Sequence, residues 1–261
     1  MTQTIRMVGA HVALLACLCF AMANCAFAAA ATSEAGIVVN MEGSLVAKGA
    51  DGVLRALSLG AKVFAGDMLF TSKDSYARIK FADGGLMSLK PHAQFQIESF
   101  HFDEKEPKGD SAVFTLVKGG LRAVSGLVGK RGDPDSYGVK TRAATIGIRG
   151  TDYGVQLCKG DCADIPTPDE IPLEDGLHVD VSHGVVLVKN AAGSQLVREG
   201  EFSYVRDFST APVVVPAERG TNVEIPARIN VDKVRGKGEG VRNGLDGANG
   251  AKQTPNACPV N

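Results

Sequence analysis

The stretch that decides the fold class is Tyr76-Ala77-Arg78-Ile79-Lys80-Phe81-Ala82-Asp83-Gly84-Gly85. Its first six residues place apolar side chains at every second position, and the Asp-Gly-Gly that follows is a turn sequence. Alternation with a period of two predicts a strand with one buried face and one face in solvent. Residues 94–98 and 177–182 alternate in the same way, and short turn sequences separate these runs. We therefore predict an all-β fold, namely a single β-wrap, sandwich or solenoid-like body of short strands and hairpins.

A faint internal repeat links two parts of this body. Residues 43–52 resemble residues 184–193, and residues 57–60 then match residues 197–200 after a gap of one residue. Each copy has the order strand, tight turn, strand, glycine corner. Two interpretations stay open: a duplicated hairpin that pairs across the fold, or the general likeness of any two hairpins.

The N-terminus predicts export. One basic residue precedes the apolar stretch at residues 7–20, and small residues follow, with Ala26 and Ala28 at the positions that signal peptidase reads. We predict that residues 1–28 are a cleaved signal peptide, that the mature protein is periplasmic, and that it has no stable membrane insertion after cleavage. The alternatives are a retained membrane anchor, since the apolar length nearly suffices for a span, and a lipoprotein modified at Cys17.

The charge balance of the chain limits the classes of partner that we expect it to bind. The chain has 28 Lys and Arg against 29 Asp and Glu, and this near-neutral balance argues against nucleic acid and against non-specific docking on anionic membranes. From about Pro216 the sequence becomes rich in Gly, Lys and Asn. With so few apolar side chains, this segment cannot bury enough surface to offset the conformational entropy that it would lose on folding. We therefore predict a disordered, flexible C-terminal tail at residues 216–261, with residues 223–231 as a candidate edge strand.

Two motifs in the strand-rich body resemble the FecR domain. The first comprises residues 60–67 and 78–85, and the second comprises residues 139–151. Arg142 stands where the family usually has proline, which loosens a turn without changing the fold. The resemblance covers roughly residues 36–157. An acidic loop at 158–176 and hairpins at 177–215 complete the predicted body.

The resemblance implies an exported module rather than a transmembrane regulator. In the iron–citrate uptake regulator that names the family, a cytoplasmic anti-sigma segment precedes a membrane helix. Only six residues precede the apolar stretch here, so we do not carry that regulation over. We predict a periplasmic binding or scaffold module that contacts an unknown envelope protein or peptidoglycan, with no catalytic turnover and no cofactor. The alternatives are an anchored envelope sensor and a glycan-acting enzyme, which needs paired carboxylates such as Glu98, Asp103 or Glu104.

The motif residues allow a structural or a binding interpretation, and we favour the structural one. They are Gly66, Asp67, Asp83, Gly84, Gly147, Arg149, Gly150 and Thr151. For Arg149 we expect a clamp whose guanidinium binds loop carbonyls, and the alternative is a cation that binds a partner. A modest basic cluster is interpreted as a solvated face; it comprises Lys118, Arg122, Lys130 and Arg131.

Few other residues in the sequence suggest catalysis, metal binding or covalent cross-linking. The histidines and cysteines lack the spacing of a Zn site, and we find neither a phosphate loop nor a nucleophile elbow. We predict no catalytic or metal-binding residue, and alternation places His178 on the wet face of its strand. Cys158 and Cys162 flank a Gly-Asp turn, which predicts a disulfide in an oxidising compartment. Cys258 is the odd cysteine, a candidate for pairing between molecules.

Overall fold

The structure is a computed structural model that describes residues 33–131, 133–165 and 167–234. The predicted signal peptide, the alternative lipidation site Cys17 and the odd Cys258 lie outside the described residues. Within these three ranges, no helix has both the length and the apolar character that a membrane crossing requires.

The described residues contain fifteen strands and three short 3₁₀ turns. The strands are β1 (Glu34–Glu42), β2 (Leu45–Lys48), β3 (Leu54–Leu57), β4 (Lys62–Phe64), β5 (Met68–Thr71), β6 (Tyr76–Phe81), β7 (Leu86–Leu89), β8 (Gln94–His101), β9 (Ser111–Val124), β10 (Tyr137–Lys140), β11 (Thr145–Cys158), β12 (Gly176–Asn190), β13 (Gly193–Arg198), β14 (Phe202–Val205) and β15 (Val213–Val215). The 3₁₀ turns are Pro107–Gly109, Pro134–Ser136 and Ala217–Arg219. The predicted all-β fold is confirmed.

All the strands belong to one sheet. Its main path runs β15-β14-β12-β11-β10-β9-β7-β6-β1-β4, a branch from β9 continues through β8, β5, β2 and β3, and β13 pairs with β12. Only β9 and β10 run parallel among these pairings. Buried apolar side chains from β1 through β14 form one cluster, so the sheet wraps around a single core.

An aromatic cluster lies inside this core. The ring of Phe114 on β9 is 5.0 Å from Phe81, 5.4 Å from Phe95 and 5.8 Å from Tyr137, measured between centroids. Such separations suit stacked and edge-on pairs of rings. The Tyr137 hydroxyl lies 2.7 Å from that of Tyr153, so the two buried hydroxyls pair with each other. Phe114 thereby connects β6, β8 and β10 from the middle of the core.

β11 and β12 both bend at a glycine. Gly150 and Gly184 have φ values of +60° and +84°, and the strand register shifts between Arg149 and Asp152. A Cβ on Gly184 would lie 2.7 Å from the Gly150 carbonyl oxygen, closer than real Cβ atoms approach. The bend separates each strand into two halves that face different surroundings.

The two copies of the internal repeat form the same glycine corner in the structure. Gly60 donates its N–H to the Val38 carbonyl at 2.8 Å, and Gly200 donates to the Val181 carbonyl at the same distance. Val38 and Val181 in turn donate their N–H groups to the carbonyls of Ala61 and Glu201, the residues that follow the two glycines. The hairpins do not pair with each other, because β2 pairs with β3 and β5 while β13 pairs with β12. A duplicated corner is therefore found, whereas pairing of the copies across the fold is wrong.

Residues 216–234, named the strap here, pack on the body. Val223, Ile225 and Ile229 are buried. The buried Asn40 amide donates to strap carbonyls at 2.7, 3.2 and 2.9 Å, those of Arg228, Ile229 and Val231. The predicted start of the tail at residue 216 is therefore too early, because buried apolar side chains and hydrogen bonds hold this segment on the body.

The strap and the acidic loop also cover the second face of β12. His178 is buried, with its Nε2 2.9 Å from the Glu174 carbonyl oxygen and its ring 4.9 Å from that of Tyr204. Burial lowers the pKa of His178. Its predicted place on a wet face is wrong because chain segments distant in sequence exclude water from that face.

Candidate functional site

Asp67 of the first motif has a structural role. Its buried carboxylate accepts two bonds from Arg55, at 2.7 and 2.6 Å, and one from the Phe64 N–H at 2.9 Å. The Arg55 guanidinium also lies over the Phe64 ring, 5.2 Å from its centroid. Gly66 supplies the turn before this carboxylate with φ +89°. The motif joins β3 to the turn between β4 and β5.

Asp83 links two distant segments. Its carboxylate accepts the N–H of Gly85 at 2.9 Å and that of Val128 at 3.2 Å. Gly84 occupies the turn with φ +83°, and the Asp83 carbonyl accepts the Leu127 N–H at 3.0 Å. This aspartate therefore ties the turn between β6 and β7 to the segment that follows β9.

Thr151 of the second motif is also structural. Its N–H donates to the Ser125 hydroxyl at 2.9 Å, and its carbonyl accepts the Ser125 N–H at 2.9 Å. Gly150 makes the bend just before it. Both residues serve the junction of β9 and β11.

Arg149 departs from this pattern. Its side chain is exposed and makes no hydrogen bond or ion pair with any residue that the structure describes. The expected clamp on loop carbonyls is wrong because the bend follows Arg149, so the strand alternation directs its side chain away from the loop. Arg149 is therefore a free cation on the surface of β11.

Three members of the predicted solvated basic cluster are paired instead. Arg122 binds the buried Asp180 at 3.0 Å, Arg131 binds the buried Asp110 at 3.1 Å, and Lys118 lies 3.4 Å from Asp161. Arg122 also bonds to Ser182 and lies 2.8 Å from Asp152. Arg122 links β9 to β11 and β12, whereas Arg131 and Lys118 are paired with loop carboxylates, so these cations do not form one free surface.

Arg149 belongs to a regular surface that we call the basic face. It consists of the outward residues of β11, β12 and β13, which lie directly opposite one another in three rows. The rows are Arg149-Val185-Arg198, Gly147-Leu187-Leu196 and Thr145-Lys189-Ser194. Cross-strand neighbours lie about 5 Å apart, so the face is a compact grid.

The middle of the basic face is apolar and its borders are positive. Val185, Leu187 and Leu196 are 37%, 39% and 46% exposed. Arg149, Lys189 and Arg198 all lack a side-chain partner among the described residues. Exposed apolar side chains in one contiguous patch mark interaction surfaces more often than isolated ones do.

A groove of about 390 Å³ crosses this face towards β10. Gly138 and Gly147 line it, and a Cβ on Gly147 would meet no atom within 4 Å, so a bound chain can approach the backbone. Lys140 at the edge of the groove is neutralised by Glu98 at 2.6 Å. Arg149 and Lys189 line the groove as cations without a described partner, against the single carboxylate of Asp135, so the charge balance of the groove is positive.

Two of the three carboxylates suggested for glycan hydrolysis, those of Glu98 and Asp103, are engaged in hydrogen bonds within the protein. Glu98 accepts bonds from Lys140 and Thr115, each at 2.6 Å, which lower its pKa. Asp103 accepts the N–H groups of its own turn. Glycosidases need one carboxyl whose pKa is raised, and hydrogen bonding has the opposite effect on Glu98. Among the described residues, no group of three or more His, Cys, Asp or Glu is arranged to hold a metal ion.

The structure contains the disulfide between Cys158 and Cys162, with Cα atoms 5.5 Å apart. Both cysteines are buried beside Leu173, and Ile165 packs against them. Arg142 donates to the Cys158 carbonyl at 2.5 Å. The bridge therefore sits under the acidic loop at the end of β11.

The family model described as FecR protein matches residues 67–187. This segment of the chain is therefore similar to the FecR domain. The match begins and ends later than the predicted range of 36–157. It includes Arg149, Val185 and Leu187 of the basic face.

Two solved structures resemble parts of the chain. A proposed anti-sigma factor from Parabacteroides distasonis is 13% identical with a TM-score of 0.41, and the alignment covers 56% of this chain and 57% of that one. A cell surface anchoring domain is 24% identical with a TM-score of 0.23, over 24% of this chain and 82% of that one. No curated protein matches the sequence.

Two arginine variants within residues 67–187 test whether each side chain has a structural role, because only a structural arginine should affect stability when it is removed. Arg149→Ala should leave the melting temperature within about 1 °C of wild type, because no described contact is lost. Arg122→Ala should cost about 3 kcal/mol, because it leaves the buried Asp180 carboxylate without its cation. Thermal and urea unfolding measure both. A marked loss of stability in Arg149→Ala would restore the clamp interpretation.

Removal of the disulfide tests the role of the acidic loop. Cys158→Ser with Cys162→Ser should fold normally and lose about 2 kcal/mol or less, because the closed ring is short. Proteolysis between Gly160 and Asp175 should become faster, since the bridge anchors that loop. Limited proteolysis with peptide mapping measures the change. An unchanged cleavage rate would show that Leu173 and its neighbours hold the loop alone.

Proposed function

We propose that this protein is an exported, non-catalytic binding module whose basic face binds an acidic, partly apolar segment of an envelope protein. The observation that carries the proposal is Arg149. It belongs to the motif of the FecR domain, yet it has no described partner inside the protein. Export is part of the proposal, and the mature chain is expected to begin at about Ala29.

The pattern of the basic face favours a peptide segment in extended conformation. Its charged rows lie on either side of the apolar row of Leu187 and Leu196. Along a strand, residues two apart are separated by about 7 Å, so an extended partner with alternating acidic and apolar residues matches this spacing. The unpaired cations accelerate the encounter with an acidic partner and select against basic ones.

A synthetic peptide in which glutamate alternates with valine and leucine tests this chemistry. Fluorescence anisotropy should detect its binding to the full mature protein, weakened by added salt because exposed charges are screened. Arg149→Ala should weaken binding about tenfold or more, since a hydrogen bond to a charged group is worth about 1.5–3 kcal/mol. A peptide with lysine in place of glutamate is the matched control.

Two results would overturn the proposal. One is the absence of binding to the acidic peptide under low-salt conditions. The other is binding to vesicles that contain anionic lipid while the peptide does not bind, which would assign the basic face to a membrane surface.

A further inference from the structure

A second groove, of about 520 Å³, lies between the acidic loop and the strap. Lys90 at the end of β7 and Phe202 on β14 line it together with residues of both segments. None of its lining residues belongs to the basic face, so this groove goes beyond the proposed function.

Several polar side chains line this groove. They are Lys90, Asp164, Thr221, Asn222 and Glu224, and none of these side chains makes a hydrogen bond within the described residues. Polar groups that face a cavity and lack a partner in the fold are available to a ligand. Thr221 is buried and Lys90 is half-buried, whereas Asp164, Asn222 and Glu224 are exposed, so solvent also reaches three of the five groups.

Lys90 has an unusual setting. Burial lowers its pKa, while the nearby charges of Asp180 and Glu224 oppose that shift. Asp180 is also bound to Arg122 and to the Val223 N–H, and Lys90 is among the residues that line the groove. A donor in this position suits a hydroxyl or carbonyl oxygen of a ligand.

Phe202 supplies an apolar surface in the same groove. Gly220 of the strap is packed against its ring, so closely that a Cβ at this position would overlap the ring. The strap thus fixes the ring while leaving it among the groove-lining residues. Aromatic rings in polar grooves bind the C–H faces of cyclic ligands.

We propose that this groove binds a neutral saccharide unit. The carboxylates of Asp164 and Glu224 accept bonds from sugar hydroxyls, Lys90 and Asn222 donate to oxygens of the sugar, and Phe202 packs on a pyranose face. Two carboxylates against one ammonium give the groove a negative balance, which disfavours an acidic sugar. The protein then has two separate binding surfaces, one for a protein segment and one for a glycan.

Saturation-transfer NMR and calorimetry on the full mature protein test the site with three probes: tri-N-acetylchitotriose, maltotriose and trigalacturonate. At least one neutral trisaccharide should bind with a Kd of about 1 mM or tighter, and the acidic probe should bind more weakly. Phe202→Leu and Asn222→Ala should each weaken binding several-fold, and Arg149→Ala should leave it unchanged. Phe202→Leu keeps an apolar side chain under Gly220, and unfolding curves check that each variant folds.

Three outcomes would overturn the saccharide site. The first is no signal from either neutral trisaccharide, and the second is binding that both groove variants leave unchanged. The third is preferential binding of trigalacturonate. Because Arg149 lies outside the groove, failure here is distinguishable from failure of the basic face.

Discussion

Truncation after Pro216 should lower the free energy of unfolding by about 5 kcal/mol, which is a large part of the stability of an ordinary domain. The deletion removes the buried side chains of Val223, Ile225 and Ile229. It also leaves the buried Asn40 amide without its three strap carbonyls. A disordered tail from residue 216, as the sequence predicts, would leave the free energy of unfolding unchanged on truncation, so the packing of the strap reverses the expected result.

Two controls isolate the strap. Truncation after Val234 removes none of these contacts. Within the strap, Ile229→Ala should cost about 2–4 kcal/mol because the side chain is buried, whereas Val231→Ala should change little because Val231 is exposed. Urea unfolding measures all four proteins, namely the two truncated chains and the two substitution variants. Equal midpoints for the chain ending at Pro216 and the chain ending at Val234 would show that the strap contributes nothing.

Phe114→Ala should destabilise the protein by about 4 kcal/mol, the second large effect. The ring contacts three other rings, from β6, β8 and β10, and its removal leaves a cavity where these strands meet. Val117→Ala on the same strand is the matched control, because Val117 is exposed. Chemical denaturation compares the two variants.

A similar, small loss in both variants would contradict the aromatic core. It would indicate that the sheet does not close around Phe114, and the assignment of one continuous core would then fail.

Alternation predicted the strands well where only one face is covered. Residues 76–81 form β6, and every second residue is buried. The pattern works because a half-buried strand needs only its own sequence to separate the two faces. The same reasoning gave the turns, since Asp83-Gly84 closes the hairpin of β6 and β7.

The covering of β12 could not be predicted in this way. Residues 177–182 alternate like a half-exposed strand, yet His178 and Asp180 are buried. The Val223 N–H, 43 residues along the chain, donates to Asp180 at 2.9 Å. A local pattern carries no information about a segment that arrives from so far away.

The basic face was only partly visible in the sequence. The motif identifies Arg149 as a notable residue, but the sequence predicts that its guanidinium binds loop carbonyls rather than a partner. Residues 185–188 are apolar at every position, which hides the fact that only alternate ones are buried. The register of the three strands reveals the face. Arg149 pairs with Val185 and Val185 pairs with Arg198, so two arginines lie on the same side of the sheet.

Site-specific photo-crosslinking in the cells that make the protein tests the central claim most directly. A benzophenone amino acid replaces Leu196 on the basic face or, as a control, the exposed Leu54 on β3. We expect a protein adduct from position 196 only, mapped by mass spectrometry to an acidic segment and lost with Arg149→Glu. No adduct from position 196, or the same adduct from both positions, would contradict the claim that the basic face is the binding surface.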